Sequence, residues 1–557
     1  MITTCRSLAL VLAVLPAAVH AEPMPAAIAS TAISAEADRI LADAYDPAEP
    51  GAAVVIMRDG RVIFAAARGK ADLERGRSID ATIVMRIGSI AKQFTAAVAL
   101  QMAGEGKLSL SDPLTRFFPD WPQPGGSATV RQLLNHTSGI DDYSKIPGFL
   151  GSDASRRPFA TAELVAMMKE RPAKAPPGTE WEYNNGGYTL LGAIVEQVSG
   201  NSWSDEVRAR IARPLGLTSL TDAVAADSGP AIARFYGRDG EAFVPAAGAH
   251  MSVAGAAGNL AMTVGDLATW AHALHTGKVL PPALYAEMTK PAVLADGSTR
   301  PYGMGLRLQR LLGHAALVHG GAARGVDTDS LYLPGERLFV AVFANSDRLP
   351  VDASTVSRRL AAAALGQPFP RFTSVTVPEQ DLAPLLGLYQ PAEGPALRVF
   401  MQDGALRFGR GNDERALIAA GGDRFYFGAD DLAWLEFDRS GSAPVLIVHR
   451  PDAAEPLRAV RTGDAPPSLV VPEAVLRGYT GCYVTEAPVL TVAIDDAGRL
   501  TIGPEGSTPA LLRPISQTEF RAEDGNFAVT FLPENGRTDR VRITRGARVL
   551  NGVRQAD

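Results

Sequence analysis

The stretch RIGSIAKQFTAAVAL, from Arg86 to Leu100, sets a serine, Ser89, three residues ahead of a lysine, Lys92. From Ile90 onward it reads as a helix, with apolar residues at Phe94, Val98, Leu100 and Met102. Residues i and i+3 of a helix share a face, so hydroxyl and amine fall within reach of each other. A free serine is a weak nucleophile and needs an adjacent base. Lysine serves as that base only when part of it is neutral, which burial or neighbouring cations bring about. The start of the helix adds free N–H groups and partial positive charge where an oxyanion would form. The plainer alternative is an N-cap serine followed by a solvated lysine.

Two more stretches carry candidate chemistry. PPGTEWEYNNGGYTLLG holds Tyr183-Asn184-Asn185 in a loop ahead of a helix. A tyrosine there can relay a proton, and the Asn185 amide can bind a substrate carbonyl or the lysine; alone, the same residues read as an aromatic packed beside an Asn-Gly turn. LVHGGAARG holds His319-Gly320-Gly321. Glycines on a strand let a substrate backbone lie against its edge, and an N–H just beyond them can complete an oxyanion hole. The plainer reading is a turn histidine beside flexible glycines.

The elements that must position these residues are legible around them. GAAVVIMRDGRVIFAAA, residues 51–67, alternates and turns at Asp59-Gly60, a hairpin signal. Helical periods recur in TAELVAMMKE, GYTLLGAIVEQVSG and TVGDLATWAHALHTG. SLYLPGERLFVAVFAN predicts two strands around a Pro-Gly turn, and DASTVSRRLAAAALG a closing helix ending at Gly366. Strands at both ends with helices between predict one α+β domain, residues 30–366, whose terminal strands share an antiparallel sheet. Residues 367–381 read as a linker by their prolines. Beyond them only short strands and Gly/Asp turns appear, in a weak repeat: Gly387, Tyr389, Leu397 and Leu406 correspond to Gly481, Tyr483, Leu490 and Leu500. Two small antiparallel β-barrels, residues 382–463 and 471–557, are the expected closure of such units.

Composition narrows the setting. The 557 residues are 46% hydrophobic and 20% charged with a net charge of -6, and no basic stripe points to nucleic acid. Residues 1–21 predict a cleaved export signal: Arg6, an apolar run from Leu8 to Leu15, and VHA ending at Ala21. That run is short for a membrane span, so no stable membrane insertion is expected and the mature protein is placed in the periplasm or outside the cell. Removing the signal removes Cys5 and leaves Cys482 alone, read as a small buried hydrophobe without a disulfide partner. His272 and His275 share a helix face but lack a third ligand, and are read as a surface feature.

Ser-x-x-Lys, Tyr-x-Asn and His-x-Gly, in this order and at these separations, resemble the penicillin-recognising serine hydrolases. The flanking stretches GKLSLSDPLTRFFPDWP, TVRQLLNHTSGIDDY and PYGMGLRL fit as well, so that the resemblance runs from about Ala35 to Gly366. It implies a β-lactamase/transpeptidase-like domain in which Ser89, expected to cap the helix as well, is acylated and Lys92 and Tyr183 share base and acid work. Asn185 would orient substrate and lysine, and His319 would stand where many relatives carry lysine. Gly321 would lie on the substrate-binding strand, with the backbone N–H groups of Ser89 and Ala322 as the oxyanion hole. No cofactor and no metal are implied. A catalytic domain followed by two barrels is similar to the bacterial D-aminopeptidases, as are the wording of HGGAARG, which contains Arg324, and the final RGARVLNGVRQ. That likeness implies small peptide, amide or ester substrates with a D-residue, and a homodimer as the family's usual state. In that family a long loop of the last barrel supplies an acid for the substrate's ammonium. Here the connection FRAEDGNFAVTF is short, with Glu523 and Asp524 as candidates. A β-lactamase, a D-Ala-D-Ala carboxypeptidase, an esterase and a non-catalytic binder of cell-wall peptides or β-lactams stay open as alternatives.

Overall fold

The computed structural model describes residues 26–226, 232–402, 404–410, 413–428, 431–464, 471–485, 489–495, 498–504, 509–522, 527–534, 537–545 and 548–555. The proposed signal and the pair Glu523 and Asp524 lie outside the described residues.

The first domain is built on a six-stranded antiparallel sheet. Its strands are β1 (Ala52–Arg58), β2 (Arg61–Arg68), β3 (Arg307–Leu311), β4 (His314–Ala323), β5 (Val326–Leu333) and β6 (Leu338–Ala344), ordered β3-β4-β5-β6-β1-β2. Strands from both ends of the domain therefore lie side by side, with Ala52 opposite Ala344 and Arg58 opposite Leu338. Successive side chains alternate between faces, so this sheet divides its apolar residues between two cores. Val54 and Ile56, with Leu338, Val340 and Val342, pack against helices α1 (Ala26–Ala44) and α5 (Ala353–Ala364). Ala53, Val55 and Met57, with Phe339 and Phe343, face the larger core around α2 (Ala91–Gly104), α3 (Asn185–Ser199) and α4 (Val264–His275). A sheet covered on both faces explains why these strands read as nearly continuous apolar runs.

Two antiparallel β-structures follow. Nine strands between Gly387 and Gly463 form a nearly closed sheet, and eight strands between Gly481 and Arg554 form a closed barrel. The repeat corresponds to a shared corner. Tyr389 and Tyr483 are both fully buried and donate their hydroxyls back four residues, to Leu385 O at 2.7 Å and to Tyr479 O at 2.9 Å. A Cβ at Gly387 or Gly481 would lie 2.5 or 2.7 Å from the Nε of Arg461 or Arg554, so only glycine lets those arginines cross. Cys482 departs from the expected buried thiol: it is exposed, opposite Thr491. Its neighbour Tyr483 points into the barrel, and the period of two sends Cys482 outward. His275 also departs from the surface reading, stacking on Tyr332 at 3.9 Å and bonding the Tyr285 hydroxyl at 2.7 Å.

Candidate active site

Ser89 lies in a single 3₁₀ turn, Gly88–Ile90, that leads into α2. It is not the helix cap: Ile90 holds that position, and no side chain caps the helix. The hydroxyl instead faces Lys92, whose Nζ is 3.0 Å from Ser89 Oγ. Lys92 is fully buried, which rules out the solvated lysine of the plainer reading. Its Nζ also donates to Asn185 Oδ1 at 2.8 Å and to Ala257 O at 2.9 Å. Two N–H bonds are thus fixed on atoms that can only accept, and the direction left over points at the serine. Burial lowers the Lys92 pKa to about 7; Arg307 adds to the shift and Asp142 opposes it. Near neutrality about half of this amine is free to take a proton.

Tyr183 also reaches the serine and shares a hydrogen bond with it. Burial pushes its phenol up to about 12, so it stays protonated where Lys92 is already losing its proton. Two groups driven apart in this way divide into a base and a proton donor. The Tyr183 ring lies 4.8 Å from Lys92 Nζ and 5.4 Å from the Arg307 guanidinium.

Asn185 is the first residue of α3. Asn184 caps that helix by accepting from Gly187 N at 2.7 Å, and its amide holds Ile140 O at 2.6 Å. The Asp142 carboxylate sits on the same helix end, accepting from Asn185 N at 2.7 Å and Gly186 N at 3.2 Å. A carboxylate there is favoured by the helix dipole, and it fixes the backbone from which Asn185 reaches the lysine.

The strand β4 brings the remaining residues. Its first half pairs with β3, but Gly320–Ala323 run past the end of that strand and leave one edge unpaired within the sheet. The 3₁₀ turn of Ser89 packs against this stretch. A Cβ on Gly321 would lie 2.1 Å from Ile87 O, and one on Gly88 (φ +50°) 3.2 Å from Ala322 N. Two glycines therefore allow the serine turn and the Ala322 N–H to meet, as an oxyanion hole made of both requires. His319 is brought close but is not at the cavity surface. Its Nδ1 donates to Gly320 O at 2.7 Å, so Nε2 accepts from the Tyr302 hydroxyl at 3.0 Å. Burial, with the nearby Lys92 charge, pushes it down to about 3, and it is neutral.

Ser89, Asn185, Ala322 and Arg324 line a cleft of about 610 Å³, and every lining residue belongs to the first domain. A smaller cavity of about 210 Å³, between α1, residues 368–372 and the first barrel's Tyr426 and Trp434, shares no residue with it. Several contributors carry no motif. Ala257 acts through its carbonyl, which residue type does not reveal. Gly88 matters for its backbone, and Asp142 and His136 lie in the quoted stretch TVRQLLNHTSGIDDY without a spacing that assigns them a task. His136 is buried among Trp181, Tyr183, Tyr188 and Tyr302, with Nδ1 accepting from Asn184 N at 3.1 Å.

A buried amine on a serine and a protonated phenol beside both, in a turn packed against a free strand edge, are the parts a serine hydrolase needs. Residues 37–365 match the family described as Beta-lactamase, more than half of the chain, and the protein belongs to that family. Among curated relatives it is 28% identical to a D-aminopeptidase of Cereibacter sphaeroides over 75% of this chain and 78% of that one. It is equally identical to a D-aminopeptidase of Brucella anthropi, over 57% of this chain and 60% of that one. Among solved structures, an octameric penicillin-binding protein homologue from Pyrococcus abyssi superposes with a TM-score of 0.54 at 25% identity, covering 79% of this chain and 100% of that one. A D-stereospecific amidohydrolase from Streptomyces sp. gives 0.50 at 28% identity, covering 59% and 98%.

Proposed function

We propose that this serine hydrolase is exported and cleaves amide or ester bonds of small D-residue-containing peptides through an acyl-enzyme on Ser89. The observation that carries the reading is the Lys92 amine, buried, 3.0 Å from the serine and lowered to about 7. Neutral Lys92 takes the proton of Ser89 as its oxygen attacks the carbonyl, and the N–H groups of Ser89 and Ala322 hold the oxyanion. Asn185 holds the lysine, and Tyr183 passes the proton on to the leaving group. Water then attacks the ester, with the same groups returning the proton to Ser89. The named activities of the D-aminopeptidases and of the D-stereospecific amidohydrolase support the D-residue preference.

The test is hydrolysis of D-alanine p-nitroanilide and its N-acetyl form beside the L-enantiomers, with Ser89→Ala as control. Serine-dependent cleavage of a D-substrate over its L-partner is expected; an L-preference, or turnover of nitrocefin rivalling that of the anilides, overturns the assignment. Export is tested by N-terminal sequencing of the mature protein, expected to begin at Glu22.

A further inference from the structure

The cleft beside Ser89 has a side and a sign. It is bounded by Ser89, Asn185 and Ala322, but neither Lys92, Tyr183 nor His319 lines it. A leaving group has to be protonated as it departs, so it must lie on the Tyr183 side of the serine. A leaving group held at Tyr183 leaves this cleft, on the Asn185 and Ala322 side of Ser89, for the acyl group that stays on the serine.

Among the described residues lining this acyl pocket there are three arginines, Arg86, Arg156 and Arg324, and no carboxylate. Arg86 stacks on Phe235, its guanidinium 4.5 Å from the ring. Arg156 bonds Asp153 at 2.9 Å, but that carboxylate is 93% exposed and its field is screened by water. Arg324, two residues past Ala322, is exposed and has no ion pair among the described residues. The nearby Asp347 accepts from Gly325 N at 3.1 Å. Behind the pocket wall, Asp142 is taken up by the N–H groups of Ser144, Asn185 and Gly186. An ammonium entering here meets the positive charge of Arg324, whereas a carboxylate meets a planar guanidinium able to bond it through two N–H groups.

Given the acyl-enzyme reading above, we propose that the pocket selects acyl groups carrying a carboxylate, and that Arg324 binds it. The substrate class is then a D-residue whose amine is blocked by an acidic acyl group, rather than a free D-amino-acid amide.

The experiment compares three D-alanine p-nitroanilides on the full-length protein: the free amine, the N-succinyl form and the N-succinamoyl form, in which a carboxamide replaces the carboxylate at equal size. kcat/KM for succinyl is expected to exceed succinamoyl about fivefold at low salt, the scale of one partly exposed ion pair. The free amine is expected to be the poorest substrate. The ratio should fall toward one in Arg324→Gln, survive in Arg324→Lys, and shrink with added salt. Equal rates for the two acyl forms, or preference for the free amine, overturn the proposal. Binding of N-succinyl- and N-succinamoyl-D-alaninamide to Ser89→Ala separates the two readings. The charge preference stands or falls on that binding ratio, while the acyl-enzyme reading stands or falls on turnover and on labelling of Ser89 by a fluorophosphonate.

Discussion

At the scale of single residues, the division of labour follows from two pKa values moved in opposite directions by one cause. Burial disfavours charge, so it lowers the lysine to about 7 and raises the tyrosine to about 12. The base is active only when neutral, so kcat/KM should rise with pH through about 7 and level off above it. A rate–pH profile without an inflection near neutrality would place the base elsewhere. Ser89→Ala should abolish acylation and leave the circular dichroism spectrum unchanged. Lys92→Ala should lower acylation by roughly 10²–10⁴, the usual contribution of general acid–base catalysis, read by single-turnover labelling. That Ser89 and Lys92 meet was legible because residues three apart share a helix face, whereas their roles came only from the resemblance carried by the three motifs together. That the serine does not cap was not legible, because capping depends on backbone dihedrals one residue away, and here Ile90 takes that place.

At the scale of elements, the site is the meeting of a turn, a helix end and a strand edge. Gly321→Ala would push a Cβ to 2.1 Å from Ile87 O and part the serine turn from β4. Loss of one oxyanion donor costs on the order of 10²–10³ in kcat, and that loss is the expected result for purified Gly321→Ala. Asp142→Asn acts through α3 and through charge. It removes a carboxylate from the helix end, worth about 0.3–2 kcal/mol of stability by thermal or urea unfolding. It also removes the one negative charge that raises the Lys92 pKa, so the neutral limb of the rate profile should move to lower pH. The β1–β2 hairpin, the strand pair around the Pro-Gly turn and the α5 helix were readable from their periodicity. The packing of the Gly88 turn against Gly321 was not, since 233 residues separate them and neither glycine announces its partner.

At the scale of the whole molecule, two β-structures accompany a catalytic domain whose cleft they do not line among the described residues. The first of them does touch that domain: Leu312 N–H bonds Pro451 O at 2.7 Å, and a Cβ on Gly313 would lie 2.5 Å from that of Ala454. Deleting everything after Gly366 is expected to leave hydrolysis of a small anilide within a few-fold of the full chain while lowering solubility. A collapse of kcat for that substrate would give the barrels a part in catalysis. Cys482 should react with a thiol reagent in the native protein without loss of activity, because its side of the strand faces solvent. The succession of domains was legible from the change of periodicity at the prolines. The outward turn of Cys482 required the register of the barrel.

The sheet that joins both ends of the first domain also sets a timetable. Gly51 N–H bonds the side chain of Asn345 at 2.9 Å, and β1 is bordered by β6 along its whole length. Contacts so distant along the chain form late, since their loop must close before they contribute. A nascent chain that has passed Lys92 already carries nucleophile and base, yet it has neither the Ala322 donor nor the sheet that presses it against Ser89. Chains that end before β6 are therefore expected to lack the assembled site, and cleavage of a D-alanine anilide by a chain truncated before Leu338 would overturn this.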